Sequence, residues 1–320
     1  MKYFIVGGAG FIGSHVARLL IGHGYEVTVY DNFSSGELWH LESIEHDPKL
    51  KIIHNDIKEV GILAEAMKSH TVVYHFASNP DISKAVTHPD IDFWEGTYLT
   101  NNVLEAMRLS GASKLIYASG SGVYGDVGAE AISEDYPDMR PISTYGASKL
   151  ACEAMICSYT YMFGIDAAAF RFANVVGPNQ THGVGYDFVR MLLRDNHELR
   201  ILGDGTQNKS YIYIDDIISA LRLIEMKHLN GYNVYNVATS DVITVTEIAD
   251  ITTEILRLKN VSYIYTGGNR GWKGDVPVIR MDTSKIRTLG WSNRYTTSEA
   301  VRHSISSIYR DAIDGKFTQW

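Results

Sequence analysis

Five short apolar runs in the first 120 residues, each followed by a stretch of helical periodicity, constrain this chain more than any other feature. The runs are KYFIVG (2–7), EVTVYD (26–31), LKIIHND (50–56), TVVYHFA (71–77) and SKLIYASG (113–120). They are nearly continuous in apolar residues, as strands buried on both faces of a parallel sheet must be. Between them GSHVARLLIGHG (13–24), VGILAEAMKS (60–69) and DFWEGTYLTNNVLEAMRLSG (92–111) carry helical patterns. Strand alternating with helix predicts a doubly wound α/β fold.

Further along, a helix through LACEAMICSYTYMFG stops at Gly164, and DAAAFRFANVVGP (166–178) reads as another buried strand closed by a Gly-Pro turn. After it the texture changes. Residues 198–216 read as a hairpin around GDG, followed by a helix, a strand at 232–238, and a helix over 244–258 with Thr244 as its N-cap. We therefore expect a first domain over 1–177 and a smaller α/β lobe over 178–320, with some segments returning to the first.

The formal charge of −8, from 29 basic and 37 acidic residues, argues against a nucleic-acid partner, which needs a basic face. Cys152 and Cys157 fall five residues apart on different helix faces, with no metal-ligand spacing, so neither a metal nor a disulfide is expected. No apolar run reaches the ~18 residues needed to span a bilayer. The opening MKYFIVGGAGFIGS reads as strand and turn, not as a signal peptide. A cytoplasmic protein with two free thiols is the expectation.

GGAGFIG (7–13) lies straight after the first strand and opens the first helix. Gly7, Gly10 and Gly13 let backbone approach a pyrophosphate, and the helix start at Phe11 and Ile12 offers amide donors. Asp31 ends the second strand about twenty residues on, where it can take the adenosine ribose hydroxyls and repel a 2′-phosphate, which favours NAD over NADP. Asp56, with Ile57 beside it, ends the third strand as an adenine contact. Phe76, Ala77 and Ser78 end the fourth, near ribose and pyrophosphate. Elsewhere, YGASK places Tyr145 and Lys149 at i and i+4, on one helix face. By itself that pair is more often a solvated surface pair than a catalytic one.

The order of GGAGFIG, YDNFSSG (30–36), ASGSGVYG (118–125), YGASK, FRFANVVGP (170–178), LGDGTQNKSYIYIDD (202–216) and GWKGDVP (271–277) resembles the extended short-chain dehydrogenase/reductases. The similarity is to their NAD-dependent nucleotide-sugar epimerases and dehydratases, and most of all to the UDP-glucose 4-epimerases. It covers about residues 2 to 310. It implies a Rossmann-type domain with a substrate lobe. It also implies 4-epimerisation of a UDP-hexose (UDP-galactose or UDP-glucose) through a transient 4-keto sugar, the hydride being returned by tightly bound NADH. Tyr145 and Lys149 then match the catalytic Tyr-x-x-x-Lys. A free phenol ionises near pH ~10, and a neighbouring ammonium and nicotinamide cation favour its phenolate. Asn32, Ser35, Gly36, Ser119 and Phe172 join the cofactor contacts. Asn174, the helix start near Gly185 and Phe188, Lys209 and Arg270 become contacts of the substrate diphosphate. Helices at about 92–110 and 145–163 match those through which relatives pair, implying a homodimer.

Two positions depart from the pattern. Relatives place a Ser or Thr four residues before the Tyr of VYG; here that residue is Gly120, flanked by Ser119 and Ser121, and Ser121 is the expected replacement, with Ser119 or a water as alternatives. Where 4,6-dehydratases carry an acid pair and decarboxylases a Glu, this chain has Ser121 and Gly122, so elimination lacks its general acid. In the long helix, Gly96 replaces a usual Asn and is read as a local kink. Open alternatives are an epimerase of UDP-glucuronate or a UDP-N-acetylhexosamine, a 4-keto reductase or dehydratase, and a noncatalytic NAD-binding regulator.

Overall fold

The computed structural model describes residues 1–317. Seven strands form the central parallel sheet. They are β1 (Lys2–Val6), β2 (Glu26–Asp31), β3 (Leu50–His54), β4 (Val72–His75), β5 (Lys114–Gly120), β6 (Asp166–Phe172) and β7 (Tyr232–Val237), in the spatial order β7-β6-β5-β4-β1-β2-β3. The order reverses between β1 and β4, which opens a crevice at the carboxyl ends of those strands. The helices that position the site are α1 (Phe11–Gly22), α2 (Val60–Met67), α3 (Leu99–Ser110), α4 (Thr144–Phe163) and α5 (Val184–Arg194).

The chain sorts into two compact units. The first comprises Met1–Val123, Thr144–Arg171 and Ile218–Tyr235; the second comprises Tyr124–Ser143, Phe172–Ile217 and the chain from Asn236. In the first, Phe4 and Val6 pack in one core with Leu63 and Met67 of α2, Leu104 and Met107 of α3, and Ile156 of α4. Tyr3 and Ile5 alternate with them, face the other side, and are just as buried. Both faces of the sheet are therefore covered, which is what its continuous apolar runs require. Each fully buried Leu or Ile contributes about 1.5–3 kcal/mol. The second unit has its own core, built on Phe188, Leu192, Leu199, Ile201, Ile248 and Ile305.

Local signals place several boundaries as expected. Gly111 and Gly164 take positive φ, +80° and +71°, at the ends of α3 and α4. Thr244 accepts from the Glu247 amide in a capping box that opens the helix Val245–Ile255. The hairpin expected over 198–216 does not form. Gly203 and Gly205 do turn the chain, with φ +81° and +80°. However, Glu198–Ile201 pairs in parallel with Ser262–Tyr265, and Tyr211–Tyr213 with Asn174–Val176. The turn is local, but burial of Leu199 and Ile201 in the second core decides the pairing. The helix expected over 92–111 is also divided: Phe93–Tyr98 winds as a π-helix before α3 begins. Among the described residues no helix is long and apolar enough to cross a membrane.

Candidate active site

The turn between β1 and α1 is closed by backbone. A Cβ at Gly7 would stand 2.6 Å from the Ala77 nitrogen, and one at Gly13 2.3 Å from the Gly7 carbonyl oxygen. Gly10 caps α1 without a side-chain bond, so the first helical amides, at Phe11 and Ile12, face outward unmasked. Asp31, at the end of β2, is 8% exposed. Its two oxygens accept from the Ala9 and Phe33 amides, both at 2.9 Å. Burial pushes its pKa up, partly offset by those amides. Gly36 lies against the same carboxylate, with space for no side chain: a Cβ would be 2.8 Å from Oδ1. Ser35 beside it is exposed. Asn32 donates to Asp56 at 3.1 Å and the Lys58 amide does so at 2.9 Å. Burial opposes ionisation of Asp56, but these donors and the Lys58 charge hold its pKa below the ordinary value. Ile57 is buried in the core, while Phe76, Ala77 and Ser78 are half-buried at the exit of β4.

Tyr145 and Lys149 do share a face of α4. The Lys149 ammonium lies 5.4 Å from the centroid of the Tyr145 ring and 5.0 Å from that of Tyr117. It donates to the Ala118 carbonyl at 2.8 Å, which locks the long side chain against β5. Tyr145 is half-buried. Beside it the end of β5 is bare: a Cβ at Gly120 would meet nothing nearer than Tyr145 Cε1, at 4.0 Å. Ser119 turns the other way and donates to Glu153 at 2.5 Å. The hydroxyl of Ser121, which is half-buried, has no protein partner among the described residues. Gly122 abuts the start of α4, where a Cβ would be 3.5 Å from Gly146 Cα.

In the second unit, Asn174 is exposed and donates to the Ser210 carbonyl at 3.3 Å. The neighbouring Lys209 pairs with Asp275 at 2.5 Å. Arg270 donates to the Asp275 carbonyl and to Asp126. The structure thus brings Lys209 and Arg270 together, but two carboxylates already compensate their charge. Phe172 is buried at 6% exposure. Gly185 sits in the first turn of α5, whose cap, Gly183, has no side-chain bond. Phe188 lies two residues too deep to serve there: its side chain is in the core, and the amide of Asp187 before it already bonds within the helix, to Gly183.

Residues 3–238 match the NAD dependent epimerase/dehydratase family. The chain belongs to that family. It is 30% identical over 309 residues to a putative UDP-glucose 4-epimerase of Methanocaldococcus jannaschii, covering 94% of this chain and 96% of that one. The fold matches a crystal structure of UDP-galactose 4-epimerase with a TM-score of 0.86 at 35% identity, over 97% of this chain and 99% of the other. It matches a dTDP-glucose 4,6-dehydratase of Streptomyces venezuelae with a TM-score of 0.90 at 25% identity, over 99% of both.

This epimerase/dehydratase is an NAD-dependent enzyme, and its residues fit the dinucleotide. The backbone cradle at Gly7 and Gly13 admits no side chain, and the buried Asp31 carboxylate keeps acceptor capacity on both oxygens. Besides the carboxylate partners of Lys209 and Arg270, two features of this family member escaped the sequence. One is the ion pair of Arg171 with Glu153, at 2.7 Å, with both side chains under 5% exposed. Glu153 follows Lys149 by four residues on α4, which is the one signal of it in the sequence. The other is Asp92, which accepts from Thr144 at 2.7 Å.

Proposed function

We infer that this enzyme interconverts UDP-hexoses, UDP-galactose and UDP-glucose, by epimerisation at C4. One observation carries the reading: the Tyr145–Lys149 pair is held beside a turn, Gly120–Ser121–Gly122, that contributes no carboxyl group. Loss of a C6 hydroxyl needs an acid to protonate it. Epimerisation needs only a base that removes and returns one hydroxyl proton. That distinguishes the epimerase reading from the dehydratase relative, whose fold is at least as close.

Bound NAD supplies a reversible acceptor for the hydrogen on C4. Tyr145 takes the proton of the C4 hydroxyl as the carbonyl forms, and returns it when the sugar has turned. Lys149 stabilises the negative charge that develops on the Tyr145 oxygen, and its bond to Ala118 keeps it there without reorganisation. The free hydroxyl of Ser121 is the donor shared with the sugar oxygen. Asn174, the Gly185 amide, Lys209 and Arg270 are the contacts of the nucleotide diphosphate, whose charge competes with Asp126 and Asp275 for the two cations. The exposed apolar side chains Leu109, Tyr161, Met162 and Phe163 on α3 and α4 support a homodimer through those helices.

The test is incubation with UDP-galactose without added cofactor. Steady formation of UDP-glucose supports the reading; Tyr145→Phe should remove most of it while NAD stays on the protein. Turnover of UDP-glucuronate or a UDP-N-acetylhexosamine instead would move the substrate, and full activity in Y145F would end the mechanism.

A further inference from the structure

Asp92 belongs to none of the motifs above, yet its buried carboxylate joins the two strips of the first unit on which the chemistry rests. It is 2% exposed. One oxygen accepts from the Asn79 amide group at 2.9 Å, the other from the Thr144 hydroxyl at 2.7 Å. Asn79 follows Ser78 directly and fixes its own loop, donating to the Asp81 carbonyl and accepting from the Asp81 amide. Thr144 is the first residue of α4 and adjoins Tyr145. The Asp92 backbone grips the same helix one turn later, because its carbonyl accepts from Ser148, next to Lys149, at 2.7 Å. Ser148 in turn accepts from Thr97 at 2.9 Å. A Cβ at Gly96 would lie 2.3 Å from Ser148 Oγ, so the clasp needs that position bare. The π-helix Phe93–Tyr98 is the irregularity that brings these groups into line.

We propose that Asp92 is a positioning residue that clasps the loop after β4 to the first turn of α4, and so fixes where Tyr145 stands over the cofactor-binding strip. The inference rests on the reading of Tyr145 as the base. Two hydrogen bonds from separate segments converge on one buried side chain, so releasing either bond frees one segment from the other. A misplacement on the order of 1 Å at a reacting group costs about 10²-fold in rate. Loss of the clasp therefore acts on kcat.

Thr144 is exposed, so Thr144→Val leaves the core untouched. We expect T144V to lower kcat for UDP-galactose about 10- to 100-fold, with KM within about twofold, and Thr144→Ser to restore it. A readout independent of any sugar is the ¹³C ring resonance of Tyr145 in the NAD-loaded protein, assigned by its loss in Y145F. It should shift in Asp92→Asn, which keeps the shape of the side chain but offers one acceptor oxygen in place of two. If D92N leaves the resonance where it is, or if T144V matches wild type in kcat, the clasp is overturned. If wild type turns over no UDP-hexose while D92N still moves the resonance, the substrate reading fails and the clasp stands. Should D92N not fold, the contrast in kcat between T144V and T144S decides.

Discussion

At the turn between β1 and α1 the backbone excludes any side chain, whereas beside Tyr145 it leaves room for one. The Cβ that Gly13 lacks would strike a carbonyl oxygen at 2.3 Å; the one Gly120 lacks would reach only a ring carbon at 4.0 Å. The first glycine is imposed by the backbone of its own turn, at Gly7 and Gly8. The second is imposed by nothing in the protein, so it reports on what shares the space with the phenol. Glycine is thus a requirement at one end of the first unit and an option at the other.

The contrast would break most visibly from behind the open position. Ser119 points away from Gly120 because Glu153 holds it, and Glu153 in turn holds the Arg171 guanidinium through two nitrogens, at 3.0 and 2.7 Å. Removing one partner of a buried ion pair costs about 3–5 kcal/mol. Glu153→Ala should therefore lower the melting temperature by at least about 5 °C and weaken the strand end on which Gly120 sits. Melting like wild type would mean that the bare strip is held by something other than this network.

Gly13→Ala tests the excluded end directly. The new methyl group meets backbone at two points, Gly7 O and Gly8 Cα, neither of which can swing aside. Such overpacking costs about 1–3 kcal/mol, and the protein should purify with little or no NAD. Normal NAD content in G13A, read by absorbance of the denatured supernatant, would show that the cradle is looser than its contacts imply.

The two ends also differ in how legible they were. The glycine turn was readable because strand, turn and helix are contiguous in sequence, whereas Tyr145–Lys149, at i and i+4, reads by itself as a surface pair and took its role only from the resemblance of the motifs around it. What escaped joins distant segments. Glu153–Arg171 spans 18 residues, Asp92–Thr144 spans 52, and Lys209–Asp275 spans 66. The hairpin over 198–216 failed for the same reason, since the partner of Glu198–Ile201 lies 64 residues on and no turn residue announces it. Lys209 and Arg270 were recognised as cations, but their compensation by Asp275 and Asp126 has no local signature.

A third test concerns the floor under Lys149. His75 ends β4, fully buried, with Nε2 paired to Thr100 at 3.0 Å. Burial above all, and then the Lys149 charge, brings its pKa down to about 3. The unfolded chain therefore binds a proton near pH ~6.5 that the folded protein refuses. His75 costs nothing above that pH and destabilises progressively as pH falls from about 6.5 toward 3, by about 1.4 kcal/mol per pH unit. His75→Asn should flatten the dependence of urea stability on pH in this window. An unchanged slope would mean that the floor between the two ends is wet enough to admit the charge.

The smallest expected effect is at Gly120 itself. Gly120→Ser adds a side chain to open space, so stability should stay within about 0.5 kcal/mol of wild type. The rate should hardly move, because the Ser121 hydroxyl already serves the sugar oxygen in the proposed mechanism. The informative experiment removes that hydroxyl first. Ser121→Ala should slow turnover about tenfold, the worth of one hydrogen bond, and G120S in the S121A background should recover most of it. Recovery would mean that the open position can host the missing donor and that its glycine is a choice. If S121A is silent, the donor is a water in the space beside Gly120, and then G120S, by displacing it, becomes the variant that changes the rate.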